Sequence, residues 1–169
     1  MEASNEQVEK MRHTLSHVLA AAVRELYPTT VFGIGPATQN GFYYDIDFGE
    51  TKVSEADLAK IEKKMRGIIA RGCEMVRREV SREEALEWAR DNGQKFKVEL
   101  IEELPEGETI TFYDLKDARS GEVLFSDLCK GPHVENLGEI GAFKLDRVAG
   151  AYWRGDEKRE MLTRIYGVA

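Results

Sequence analysis

The sequence predicts an α+β fold, a long N-terminal helix and further helices packed on antiparallel sheet. Three observations predict it. Apolar residues at three- and four-residue spacing run through the first stretch (Val8, Met11, Leu15, Val18, Ala22, Leu26). Runs that alternate apolar and polar residues follow, as in Phe42–Phe48, bounded by turn residues. Helices and hairpins then interleave without the regular strand–helix–strand order of a parallel sheet. A chain of 169 residues can bury a sizeable core as one domain, or as one domain with two lobes. No internal repeat, low-complexity tract or linker divides residues 1–169.

The elements follow in order. A helix is expected from about Asn5 to Tyr27, the first ten residues forming its leader, and Pro28 ends it because the residue before proline resists the helical region. Two extended runs come next, Thr30–Thr38 and Phe42–Phe48, with Asn40-Gly41 between them as a tight turn at positive φ. In the second run Phe42, Tyr44, Ile46 and Phe48 share one face, and Tyr43, Asp45 and Asp47 the other. Ser54-Glu-Ala-Asp57 reads as a capping box opening a helix with Leu58, Ile61, Met65 and Ile68 as its stripe and Gly72 near its end. Cys73–Val80 fits a strand, and Ser81-Arg-Glu-Glu84 caps a shorter helix through roughly Asp91. Glu103–Glu108, with Pro105 and Gly107, is a loop. Thr109–Leu115 and Glu122–Leu128 pair around a turn near Ser120-Gly121, and Gly141–Ile165 adds further strands.

Composition excludes several classes. Hydrophobic residues at 42% and charged residues at 33% describe an ordinary soluble globular chain. Charges scattered through the first twenty residues argue against a signal peptide, and no apolar run is long enough to cross a bilayer. The two cysteines, Cys73 and Cys129, are far apart and suggest no disulfide framework, so a cytoplasmic location is expected. A net charge of −7 speaks against a dedicated nucleic-acid binder. Between Lys60 and Arg82, however, eight basic residues stand against three acidic ones, enough to steer a phosphate backbone locally. A solvated helix face is the plainer reading of that cluster.

The chain has three histidines, and their placement carries the most information. His13 and His17 are four apart on the first helix, so their rings emerge on one face. His133 follows Cys129 by four residues in Asp127-Leu-Cys-Lys-Gly-Pro-His133. Together the four offer nitrogen and sulfur donors for a tetrahedral zinc ion, or three ligands and an open position. At roughly 100° per residue the helical histidines point nearly opposite the apolar stripe. They are either free in solvent or line a second surface, such as a cleft covered by the Cys129–His133 loop. A zinc protease would need a glutamate after the first histidine, and Thr14 stands there instead.

Four segments, MRHTLSHVLAAAV, IGPATQNGFYYDID, DLCKGPHV and AYWRGDEKREMLTRIYG, resemble in order the editing region of bacterial threonyl-tRNA synthetases, over about Met11 to Gly167. Alanyl-type editing domains are similar in the two histidines and the Cys/His pair, while GFYYD and AYWRGD favour the threonyl branch. The resemblance implies a two-lobed domain with a cleft that hydrolyses mischarged seryl-tRNA(Thr). It implies as partners the acceptor end of tRNA(Thr) carrying serine and the rest of a threonyl-tRNA synthetase, and no aminoacylation by this chain alone. The need for such a step is physical, since one methylene changes pocket binding by only about 1–3 kcal/mol.

The same resemblance places His13, His17, Cys129 and His133 around the scissile ester, with His13 positioning or activating water. It gives Lys97 a second water or the developing oxyanion, and Tyr44 and Asp127 the seryl group or the ribose. No cofactor is required; a zinc ion, if used, would be held by His13, His17, Cys129 and His133. Plainer readings stand beside these: Lys97 as a solvent-facing charge, Tyr44 as core, Asp127 as a turn cap and Cys129 as a small buried hydrophobe. Two departures stand out. Lys130 occupies a place where the family usually has arginine, which loses bidentate bonding. The Asp114–Glu122 hairpin is longer than usual, which puts contacts at the site's rim in question. Rival functions are an alanyl-type deacylase acting on tRNA(Ala), a non-catalytic module holding the acceptor end, and a structural zinc site on which folding would depend.

Overall fold

A computed structural model describes residues 4–169, so the first three residues of the expected leader lie outside it. Helix α1 (Asn5–Leu26) begins where the Ser4 hydroxyl accepts the Gln7 N–H at 3.2 Å and ends at Tyr27, before Pro28. Strands β1 (Val31–Phe32) and β2 (Gly41–Asp47) follow, then a single tight turn at Glu55–Asp57 leading into α2 (Leu58–Ala70). Next come β3 (Cys73–Val80), α3 (Arg82–Asp91), α4 (Lys95–Glu103), β4 (Ile110–Asp117), β5 (Val123–Leu128), β6 (Lys144–Tyr152) and β7 (Met161–Val168). The strands form two antiparallel sheets, β1-β2-β7-β6 and β3-β4-β5. The α+β expectation holds.

The first helix is more deeply embedded than its stripe suggests. Thr14 to Val23 are all buried, so α1 is enclosed on every side over that stretch and touches both β2 and β5. One core therefore runs from Phe42, Tyr44, Ile46 and Ile165 of the first sheet, through α1, to Cys73, Met75, Leu115 and Phe125 of the second. The Leu58/Ile61/Met65/Ile68 stripe of α2 is buried as expected, and Asp57 accepts the Ser54 N–H at 2.9 Å.

Two expectations need correction. The extended run Thr30–Thr38 shortens to Val31–Phe32, with one further bridge between Ala37 and Phe42. Asn40 and Gly41 do not take positive φ. Gly41 belongs to β2 opposite Val168, where a Cβ would sit 1.9 Å from the Gly167 carbonyl oxygen; close approach of strands, not a turn, demands glycine there.

No sequence pattern predicts helix α4. Phe96 packs on Trp153, with centroids 4.6 Å apart, and on Leu162 of the first sheet, while Ile101 packs with Ala85, Ile110 and Phe112 over the second. Each buried side chain contributes roughly 1.5–3 kcal/mol. The helix is thus clamped across both sheets, and that clamp sets where Lys97 projects.

Candidate active site

α1 and the segment running out of β5 meet at the site. The Cys129 backbone is pinned to β4, its N–H donating to the Thr111 carbonyl at 3.1 Å and its carbonyl accepting the Thr111 hydroxyl. Gly131 turns the loop at φ 80°, a conformation that favours glycine, and its N–H donates to Cys129 Sγ at 3.2 Å. The turn brings His133 back against α1. Cys129 Sγ then lies 3.3 Å from His13 Nε2 and 3.2 Å from His133 Nε2. The His13 and His133 rings stack at 4.2 Å between centroids, His17 meets both edge-on, and Tyr113 closes the far side of His133 at 4.4 Å. Of the two placements open for the helical histidines, the lined cleft is the one found.

Tyr44, Lys97 and Asp127 form an adjoining network. The Tyr44 hydroxyl donates to Asp127 Oδ2 at 2.5 Å, and Lys97 Nζ donates to the Tyr44 oxygen at 3.0 Å and to the Gly33 carbonyl at 2.7 Å. Nζ also lies 2.8 Å from Asp127 Oδ1, with side-chain exposures of only 4% and 3%. The angle of that ion pair falls short of a hydrogen bond, so Oδ1 has no donor aligned to it. His17 Nε2 is 3.8 Å from Asp127 Oδ2, and His17 Nδ1 is buried without a partner. Gly35 makes room for this arrangement, because a Cβ there would lie 2.2 Å from the Tyr44 ring. A cleft of about 250 Å³ opens over the assembly, bounded by His13, Tyr44, Lys97, Cys129, Gly131 and the Ile34–Pro36 loop.

Residues 110–166 match the family described as the threonyl and alanyl tRNA synthetase second additional domain. The chain is 52% identical over 158 residues to the threonine–tRNA ligase of Acetivibrio thermocellus, covering 94% of this chain and 24% of that protein. It is 54% identical over 159 residues to that of Clostridium tetani, with coverages of 94% and 24%. For the Aquifex aeolicus threonine–tRNA ligase the identity is 46% over 168 residues, 98% of this chain and 25% of that protein. The chain belongs to the threonyl and alanyl tRNA synthetase second-additional-domain family. It spans about a quarter of the length of the curated relatives it matches. The family segment contains Asp127, Cys129 and His133; His13, His17, Tyr44 and Lys97 lie outside it and reach the site through α1, β2 and α4.

Burial sets the charge state of the site. Desolvation lowers the pKa of His13, lowers that of His17 well below its ordinary value with the neighbouring His13 adding to the effect, and lowers that of His133, where His17 and His13 contribute next. The same desolvation pushes the Cys129 thiol up to about 12 and the Tyr44 phenol well above its usual range. At neutral pH the site therefore holds neutral imidazoles and a protonated thiol. The four donors of His13, His17, Cys129 and His133 lie within 4.8 Å of one another and could hold a metal ion. The Sγ–Nε2 distances of 3.3 and 3.2 Å lie at and just below the short edge of the roughly 3.3–3.7 Å spacing that tetrahedral zinc bond lengths require.

The remaining expectations about the site resolve as follows. Lys97 is buried rather than solvent-facing, and its ammonium is engaged by Gly33, Tyr44 and Asp127. Lys130 borders the cleft but pairs with Glu108. The tip of the long Asp114–Glu122 hairpin is docked on the end of α2, Ala118 N–H donating to the Gly72 carbonyl and Arg71 pairing with Asp117 and Glu122, so it does not line the cleft. Within the Lys60–Arg82 cluster, Lys64, Arg66, Arg71, Arg77 and Arg78 all pair with carboxylates, which leaves little free positive field. Among the described residues no helix is long and apolar enough to cross a membrane. Thr14, Gly35, Tyr113 and Gly131 were not assigned from sequence; the glycines and the threonine beside His13 were the available signals.

Proposed function

We propose that the chain hydrolyses the ester of mischarged seryl-tRNA(Thr), as an editing domain working beside the rest of a threonyl-tRNA synthetase. The observation that carries this reading is the convergence of two neutral imidazole Nε2 atoms on Cys129 at the floor of a cleft flanked by Tyr44, Lys97 and Asp127. Identity near 50% to threonine–tRNA ligases supports the choice of tRNA.

In this reading His13, the most accessible of the three histidines, orients a water on the ester carbonyl and takes its proton. The ribose oxygen leaves with a proton as the tetrahedral intermediate collapses, giving free serine and intact tRNA. Cys129 stays a thiol and shapes the floor; a nucleophilic role would need a thiolate that its burial disfavours. His17 and His133 hold the polar wall. Asp127, held by Lys97 and Tyr44, supplies negative charge for the seryl ammonium, and Lys97 acts through those two groups. Selection against threonine is steric, because its extra methyl has to fit beside the serine position in the cleft.

No cofactor enters these steps. One observation favours a second arrangement, namely the four convergent donors, with His13, His17, Cys129 and His133 holding zinc. A bound zinc would supply Lewis-acid polarisation or a more acidic water.

The test is deacylation of seryl-tRNA(Thr), threonyl-tRNA(Thr) and seryl-tRNA(Ala) by the wild type and His13→Ala. Loss of serine from tRNA(Thr) alone, abolished by the substitution, is expected. Turnover of seryl-tRNA(Ala) would move the chain to the alanyl branch. Tight tRNA binding with every ester left intact would make it a holding module.

A further inference from the structure

Thr14 stands between the two helical histidines and touches a third. Its Oγ1 has three polar neighbours: the Lys10 carbonyl at 2.8 Å, the Val134 N–H at 3.1 Å and His133 Nδ1 at 3.0 Å. A hydroxyl offers one proton and two lone pairs. The Lys10 oxygen can only accept, and two oxygens 2.8 Å apart without a proton between them repel. The hydroxyl proton therefore points at Lys10. Val134 N–H occupies one lone pair, and the second is left for His133 Nδ1, which must then carry a proton. His13 follows the same logic: its Nδ1 is 3.2 Å from the Pro132 carbonyl, which can only accept. A neutral ring held in this way presents a bare Nε2, and both Nε2 atoms face Cys129 Sγ. The thiol has a single proton for two facing nitrogens. One Nε2 lone pair is left for an incoming donor.

We propose that Thr14 is a positioning residue that fixes His133 in its Nδ1–H tautomer, so that the His13/Cys129/His133 floor keeps one unsatisfied nitrogen lone pair available to the attacking water. The inference rests on the hydrolytic reading above for its use, and on hydrogen-bond inventory alone for the tautomer. Thr14 touches neither the cleft nor the ester; it acts through His133. It also ties α1 to the segment after Cys129, since Val134 N–H ends on its hydroxyl.

The experiment reads the ring directly. Long-range proton–nitrogen correlation on the ¹⁵N-labelled chain distinguishes the two tautomers, and with three histidines in the sequence a His133→Ala spectrum assigns the signal. The wild type is expected to show His133 as Nδ1–H. Thr14→Val, which keeps the shape and removes the hydroxyl, is expected to shift His133 toward the Nε2–H form and to slow seryl-tRNA(Thr) deacylation by roughly ten- to a hundredfold, the usual effect of removing a partner that orients an imidazole. Thr14→Ser is expected to restore both. An Nε2–H ring in the wild type, or an unchanged ring and rate in Thr14→Val, would overturn the proposal. The wild-type spectrum decides it even where Thr14→Val folds poorly. An Nδ1–H ring in a wild type that hydrolyses none of the esters supports the tautomer assignment and counts against the reaction instead.

Discussion

Replacing Lys97 with methionine separates two roles that activity alone would confuse. The substitution keeps the length and helix propensity of the side chain, so α4 should form unchanged. It removes the cation 2.8 Å from Asp127 Oδ1 and the donors to Gly33 O and Tyr44 Oη, all buried. Taking one partner from a buried ion pair costs about 3–5 kcal/mol, because the other charge is left uncompensated. The two lost hydrogen bonds belong to the same event and are not added to it. Urea unfolding should therefore show Lys97→Met destabilised by about 3–5 kcal/mol at an unchanged slope. Asp127→Asn in that background removes the stranded charge, and the double variant should recover part of the loss. A lysine waiting to hold a water or an oxyanion predicts something different, namely lost deacylation with stability within about 1 kcal/mol of wild type. That second outcome would refute the structural role argued here for Lys97.

Three further outcomes follow from the site. His17 and His133 are 2% and 9% exposed and have folded pKa values below the ordinary 6.5, so the unfolded chain binds protons that the folded one refuses. Stability is fully present above that value and lost as pH falls; between pH 7.5 and 5.5 each should cost about 1.4 kcal/mol, and a flat denaturation midpoint across that window would contradict the assigned burial. Gly35→Ala drives a Cβ into a Tyr44 ring that its hydroxyl bonds prevent from retreating, and thermal melts should show a loss of about 1–3 kcal/mol. Exhaustive dialysis against a chelator should leave both fold and seryl-tRNA(Thr) deacylation intact; loss of either, restored by zinc, would favour the four-ligand arrangement.

Where sequence and structure agree, the residues respond to a local cause. Ser54 and Asp57 cap the turn that opens α2, and the hydroxyl of Ser81 accepts the Glu84 N–H at 3.1 Å to start α3. The strand Cys73–Val80 falls where its composition and flanking glycine place it. Where the two disagree, the cause is distant. Lys95–Glu103 has no usable cap, because the Gln94 side chain is spent on Phe32 N–H and the Thr30 carbonyl. Its apolar residues also divide between two cores, so no single stripe announces a helix. Gly41 imitates a turn glycine while serving the close approach of β2 to β7. Lys97 is indistinguishable in sequence from a surface lysine until α4 is known to be clamped across both sheets.

The candidate site has the same division. Its four nitrogen and sulfur donors are visible as two i, i+4 pairs, of which only His13/His17 carries its own geometry, because it lies on a helix. What turns donors into a site was not visible, because it comes from groups that bear no chemical signature. The Pro132 carbonyl and the Thr14 hydroxyl decide which nitrogen of each flanking ring carries the proton. Gly131 decides that the loop turns back toward α1 at all. These three act from opposite sides of one interface between α1 and the segment leaving β5. A shift of that interface would alter ring tautomers before it broke any contact in the core. The site's chemistry is therefore tied to the docking of a buried helix rather than to a mobile loop, and substitutions at the α1–β5 contact should impair hydrolysis at stability losses too small to unfold the chain.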